Sequence, residues 1–235
     1  LGSALNSAII STTHPPPFIM EAEINVLDYK VYQPPLVMGQ VDTLFNDYIK
    51  EECFKLQADK DKDDSRRKLA GNLREEVYIF ADSEFEKSVQ SVIEAAFLDR
   101  FNQNQRDFGY PELEQEAIEW LPCWVNYQKK YECNPIHTHT GKYSFVWWVQ
   151  IPFDIEEEFS LEHVKESNSP CASLFQWNYF TLNSTKMLQN NVPLTKGVDD
   201  GRFFIFPANL PHQVYPFYTS DDYRISISGN FDFTI

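Results

Sequence analysis

Glycine is scarce in this chain, with 8 among 235 residues. No G-x-G-x-x-G or Walker-type run occurs, which argues against a fold built on a glycine-rich phosphate cradle. Positive charge is also short. Twenty Lys and Arg stand against 35 Asp and Glu, a formal net charge of -15. That balance supplies no basic face for a general nucleic-acid binder. The four cysteines, Cys53, Cys123, Cys133 and Cys171, include no C-x-x-C pair. Neither a disulfide framework nor a zinc knuckle is expected, and the thiols read as reduced, in a cytoplasmic protein. No apolar run approaches the ~18 residues of a membrane span. Residues 1–18 contain Ser, Thr and Pro but no charged leader, so they read as a flexible N-terminal segment rather than a signal peptide. Residues 19–235 read as a single domain.

What is abundant is aromatic. Phe and Tyr number 19 and 12, and aromatics make up 15% of the chain. Such side chains suit a pleated, half-buried surface, which favours β-structure. Residues 19–32 alternate partially and predict one or two strands, stopped by Pro34 and Pro35. Val41, Leu44, Phe45, Tyr48 and Ile49 recur at helical spacing and predict an amphipathic helix over 41–56. A charged run over 57–67 reads as a solvated loop. Asp82-Ser-Glu-Phe opens a second helix, with Phe85, Val89, Val92, Ile93, Ala96 and Phe97 as its apolar stripe, ending near Phe101. Helical support thus falls in 38–106. From residue 118 onward the texture is short strands: 120–128, 143–152, 173–182, 201–206, 213–216 and 224–233. The stretch 190–195 reads as a connector. Strands following helices predict a mainly β fold with flanking helices, an antiparallel sandwich or jelly roll.

Histidine is the informative residue. There are five, and three lie in two segments: Asn134-Pro-Ile-His-Thr-His-Thr-Gly141 and Phe206-Pro-Ala-Asn-Leu-Pro-His212. On a strand, His137 and His139 would share one face. His212 follows an apolar strand, where a barrel-mouth ligand belongs. Neutral imidazole is the commonest metal ligand. Ordinary hydrogen-bonded histidines are the alternative, but the concentration in one motif set favours a metal site. His14 and His163 read as surface residues. Arg224, Ser226 and Ser228 alternate with Ile225 and Ile227 on the last strand. If the isoleucines point between the sheets, the arginine meets solvent. If the strand lines a barrel interior, the guanidinium needs an anion there. A carboxylate gripped in a two-pronged way, with a serine hydroxyl beside it, is the natural partner.

These segments, with Trp124-Val-Asn-Tyr-Gln128 and Ser144-Phe-Val-Trp-Trp148, resemble the iron- and 2-oxoglutarate-dependent oxygenase superfamily, and most of all the oxygenases of tailed phages of aquatic bacteria. The resemblance covers about residues 118–235, the expected metal-binding core. It implies a double-stranded β-helix of cupin-like jelly-roll type, Fe(II), 2-oxoglutarate and O2, and a location in the cytoplasm (the host's, if phage-encoded). It implies His137 and His212 as metal ligands, with Arg224 and Ser226 holding the distal carboxylate of 2-oxoglutarate. Asn126 and Tyr127, on a neighbouring strand, would contact the cosubstrate, and Trp147 or Trp148 could wall the cavity.

One departure stands out. The usual facial triad is two histidines and a carboxylate, and His139 occupies the carboxylate position. Glu132 and Asp154 are poorly placed to replace it. His139 is therefore a third ligand or a neighbour of the metal. Two alternatives follow: a non-catalytic jelly-roll binding module, or a three-histidine metalloprotein that does not use 2-oxoglutarate. Acidic stretches over 154–158 and 199–200, near the expected mouth, hint at a polar or basic target.

Overall fold

The computed structural model describes residues 8–9, 23–30, 36–179 and 187–234. Most of residues 1–18, and the inferred flexibility there, lie outside the described residues. In chain order the elements are β1 (Ala8–Ile9), β2 (Glu23–Lys30), β3 (Leu36–Val41), α1 (Thr43–Ala58), β4 (Asp63–Asp64), β5 (Glu76–Tyr78) and α2 (Glu84–Phe108). After a short 3-10 turn come β6 (Ile118–Trp120), β7 (Trp124–Gln128), β8 (Asn134–His137), β9 (Tyr143–Gln150), α3 (Ile155–Ser160) and α4 (Glu162–Lys165). The chain ends with β10 (Phe175–Tyr179), β11 (Leu188–Val192), β12 (Arg202–Pro207), β13 (His212–Val214) and β14 (Arg224–Phe233).

The strands form two antiparallel sheets, as a jelly roll requires. The larger runs β1-β2-β3-β12-β9-β14-β7-β5-β4, with β6 also on β14, and the smaller runs β11-β10-β13-β8. The large sheet is buried on both faces. Along β9, Phe145, Trp147 and Val149 join the core beneath the helices, while Val146 and Trp148 join the core between the sheets. Along β12, Phe203 and Ile205 take the helical side and Phe204 and Phe206 the other. Two-sided burial explains why Phe203-Phe-Ile-Phe206 is continuously apolar instead of alternating with polar residues.

The second helix begins where the sequence predicts, and the first begins two residues later than expected, because Val41 ends β3. Asp42 caps α1, its side chain accepting from Phe45 N at 2.9 Å, and Phe45, Ile49, Cys53 and Leu56 form its buried stripe. Ser83 caps α2 by accepting from Glu86 N at 3.1 Å, and the Glu86 carboxylate reaches back to Asp82 N. This second helix continues past Phe101 to Phe108, and Asn102 within it fastens the following segment through two bonds with the backbone of Leu113. Gly109, at φ +72°, ends it in the left-handed region open to glycine.

The predicted strand over 120–128 is two strands, β6 and β7, broken between Trp120 and Trp124. The connector over 190–195 contains part of β11, an exposed edge strand paired with β10. The acidic stretch 154–158 is helical: Asp154 caps α3.

Candidate metal centre and anion pocket

Three strands and one turn build the site. His137 closes β8 and His212 opens β13, and the two are a directly opposed cross-strand pair. His139 lies just beyond β8 rather than on it. Its backbone N–H donates to Ala208 O at 2.8 Å, which carries the sheet-like path on and returns the ring to the other two. The candidate ligand atoms of His137, His139 and His212 all lie within 4.8 Å of one another.

Second partners set the ring orientations. His137 Nδ1 lies 2.7 Å from Pro135 O and His212 Nδ1 lies 2.8 Å from Leu210 O. A backbone carbonyl can only accept, so each Nδ1 carries the proton and each Nε2 is left as a bare lone pair. His139 Nε2 sits 3.2 Å from His212 Nε2. Burial pulls all three imidazoles below their ordinary value: His137 by desolvation, His139 to about 4 with His137 adding to the effect, and His212 far down. All three are neutral at pH 7, as ligands must be. A borderline cation of the iron type fits this nitrogen donor set.

Next to this cluster the large sheet presents a polar row. Arg224, Ser226 and Ser228 line the same cavity as the three histidines, with Asn126 and Gln128 from β7 and Trp148 from β9. Trp147 lies on the helical side. Arg224 is 2% exposed, and its guanidinium is flanked by the rings of Phe153 and Phe217, each 5.5 Å from its central carbon. Gln128 Oε1 accepts from both Nε (3.0 Å) and Nη2 (2.7 Å); Nη2 also donates to Tyr215 O and Nη1 to Ser173 O, both at 2.7 Å. Four of the five N–H groups a guanidinium carries are thereby engaged. The two-pronged grip expected from the sequence is not available in this arrangement: one N–H and the charge itself remain. No carboxylate lies within ion-pair distance of Arg224 among the described residues. Burial pulls its pKa down to about 9, with only Glu158 acting at longer range in the opposite sense.

Asn126 donates to Ser226 Oγ at 3.2 Å and Ser228 Oγ at 3.5 Å. Tyr127, its neighbour, does not reach the cavity. Strand alternation turns it to the helical core, fully buried, where its hydroxyl donates to Cys53 O. The expected role of Tyr127 beside a cosubstrate is corrected accordingly. Within the acidic stretches three carboxylates are engaged by backbone N–H groups. Glu158 accepts from Tyr218 N and Thr219 N, Asp199 from Thr195 N, and Asp200 from Ile151 N. These three carboxylates serve the backbone, whereas Glu156 and Glu157 are exposed. Gln128 is the residue sequence reasoning missed, although its place two positions after Asn126 on one strand carries the signal.

Residues 122–230 match the family model described as "Putative 2OG-Fe(II) oxygenase". That segment, just under half of the chain, is similar to the 2OG-Fe(II) oxygenase superfamily. The enzyme class is 2-oxoglutarate-dependent oxygenase, with Fe(II) and 2-oxoglutarate as cofactors. No curated protein matches the sequence. Among solved structures, the oxygenase is similar to a prolyl-4-hydroxylase of Pseudomonas putida, at 14% identity and TM-score 0.52, covering 85% of this chain and 93% of that one. It is also similar to a prolyl hydroxylase of Trichoplax adhaerens, solved with a peptide fragment of hypoxia inducible factor, at 12% identity and TM-score 0.53, covering 83% and 82%. At these identities the likeness establishes the jelly-roll fold of the oxygenase. No helix among the described residues is long and apolar enough to cross a membrane.

Proposed function

We propose that the oxygenase couples decarboxylation of 2-oxoglutarate to oxidation of a C–H bond in a second substrate, as a hydroxylase. His137, His139 and His212 hold the Fe(II), and Arg224 with Ser226 receives the far carboxylate of 2-oxoglutarate. The observation that carries the reading is one cavity holding both a convergent set of bare imidazole nitrogens and a buried guanidinium without a carboxylate partner. Fe(II) and 2-oxoglutarate, when bound with O2, supply the oxidising chemistry, with succinate and carbon dioxide as products.

The chain's own residues do the rest. Pro135 O and Leu210 O fix the tautomers that turn two lone pairs inward. Gln128, Tyr215 and Ser173 lock the guanidinium, so that an arriving anion meets a charge that need not reorganise. Phe153 and Phe217 keep water from that charge. Kinship with phage oxygenases, and a cytoplasmic location, belong to the same proposal.

The test is direct. Fe(II)-loaded protein should convert 2-oxoglutarate to succinate, and alanine at His137, His139 or His212 should each weaken metal binding. Metal affinity unchanged in H139A would remove His139 from the ligand set. A second reading rests on that same residue, since the cluster contains no carboxylate. In it the chain is a metal-binding jelly roll without 2-oxoglutarate chemistry. Metal binding with no oxygen consumption on adding 2-oxoglutarate would favour it.

A further inference from the structure

Glu76 lies outside every motif discussed so far. It sits on the three-residue strand β5, directly opposite Asn126 of β7, while Asn126 is opposite Ser226 of β14. Paired residues share a face of a sheet. Val77 and Val125, one position on, both enter the helical core. Glu76, Asn126 and Ser226 therefore form a row on the cavity side. Ser65 extends it outward, its N–H donating to Glu76 O at 2.9 Å.

Glu76 is 1% exposed, and neither of its carboxyl oxygens has a hydrogen-bond partner. The two neighbouring polar groups in the row are orphaned as well: Ser65 Oγ and Asn126 Oδ1. Backbone presses on the carboxyl from above, for a Cβ built on Gly71 would lie 2.5 Å from Glu76 Oε1. The charged groups acting on Glu76 are Asp64 and Glu132, which repel a second negative charge, and Arg66. Arg66 is already forked onto Asp64. With burial as the largest cause, the Glu76 carboxyl is pushed up to about 7.

We propose that Glu76 carries a proton in the binding-competent enzyme and sets the direction of a hydrogen-bond relay, Glu76–Asn126–Ser226, that aims the Ser226 hydroxyl into the cavity as a donor to a carboxylate. A single proton on Glu76 supplies the donor that Asn126 Oδ1 lacks. The carboxylic O–H donates to Asn126 Oδ1. Asn126 Nδ2 donates to Ser226 Oγ, the contact already present. Ser226, now an acceptor on that side, keeps its own proton for the cavity. When Glu76 ionises, Asn126 Oδ1 faces a second acceptor, and the amide must turn over. Ser226 then has to donate to Asn126, and the cavity loses that donor. Glu76 is thus a positioning residue acting through Asn126, and carboxylate binding is coupled to its protonation. The relay rests on the reading that the cavity receives the carboxylate of 2-oxoglutarate.

The experiment measures 2-oxoglutarate affinity calorimetrically, without oxygen, in Mn(II)-loaded wild type and E76Q from pH 6 to 8.5. The side-chain amide introduced by E76Q can donate to Asn126 Oδ1 and cannot ionise, so this variant should hold its low-pH affinity. Relative to it, wild type should weaken about tenfold per pH unit above about pH 7. Isotope-edited infrared spectra of unliganded wild type should show a protonated carboxylic acid band at pH 6 that E76Q lacks, a readout independent of turnover and of the variant's stability. Ionised Glu76 at pH 6, or wild type and E76Q tracking together over the whole range, would overturn the relay alone. Failure of wild type to take up 2-oxoglutarate at any pH, with the acid band present, would overturn the proposed function and with it the relay's role in binding.

Discussion

Replacing Glu76 with glutamine should change how folding stability depends on pH. The ordinary carboxyl value is 4.5, and in the fold it rises to about 7. That rise corresponds to ~3 kcal/mol. Below pH 4 the folded and unfolded chains both hold the proton, and burial exacts no electrostatic penalty. As pH climbs through the unfolded value, the unfolded chain releases its proton while the folded chain keeps it, so stability falls. The fall is complete once pH exceeds about 7. Between about pH 5 and pH 8 the loss attributable to this one residue is roughly 2.5 kcal/mol. E76Q has the same shape and no titration. Urea unfolding of both proteins at several pH values isolates the effect, because every other titrating group cancels in the difference. The gap between E76Q and wild type should widen in favour of the variant by that amount. Parallel stability curves, or a gap that widens the other way, would refute the burial argument.

Three further outcomes are expected. Gly71→Ala should destabilise by about 1–3 kcal/mol in denaturant melts, since the new methyl overlaps the Glu76 carboxyl at 2.5 Å. Tyr127→Phe should cost about 1 kcal/mol of stability by removing the hydroxyl donor to Cys53 O, with 2-oxoglutarate affinity unchanged by calorimetry. Arg224→Lys keeps the charge but loses the fork that spans Gln128, Ser173 and Tyr215; 2-oxoglutarate affinity should drop at least tenfold, the size of one charge-assisted hydrogen bond of ~1.5–3 kcal/mol.

The sequence made the candidate metal ligands legible because histidine is rare in the chain and three of five fall in two short segments. The alternation along β14 was equally legible, and it correctly separated Arg224 and Ser226 from Ile225 and Ile227. Which side faced a cavity was not, because both sides of the large sheet are buried and apolar neighbours alone do not distinguish them. Tyr127 was misassigned for the same reason: adjacency in sequence placed it beside Asn126, and the pleat sends it away. The strand expected to carry both His137 and His139 ends at His137, and Asn134-Pro-Ile-His is too short to show where a period stops. Glu76 left no trace in the pattern. Its importance comes from what is missing around it, and only packing reveals a missing partner.

The pleat of β14 has a consequence for how this protein can vary. Over residues 224–228, odd positions touch the helical layer and even positions touch the cavity. A substitution scan along the segment should therefore oscillate, with melting temperature responding at Ile225 and Ile227 and ligand uptake at Arg224, Ser226 and Ser228. Deleting or inserting a single residue there would exchange the two roles at once, thrusting a guanidinium under the helices and an isoleucine toward the imidazoles. Length along this strand should be fixed even where side-chain identity is free to drift.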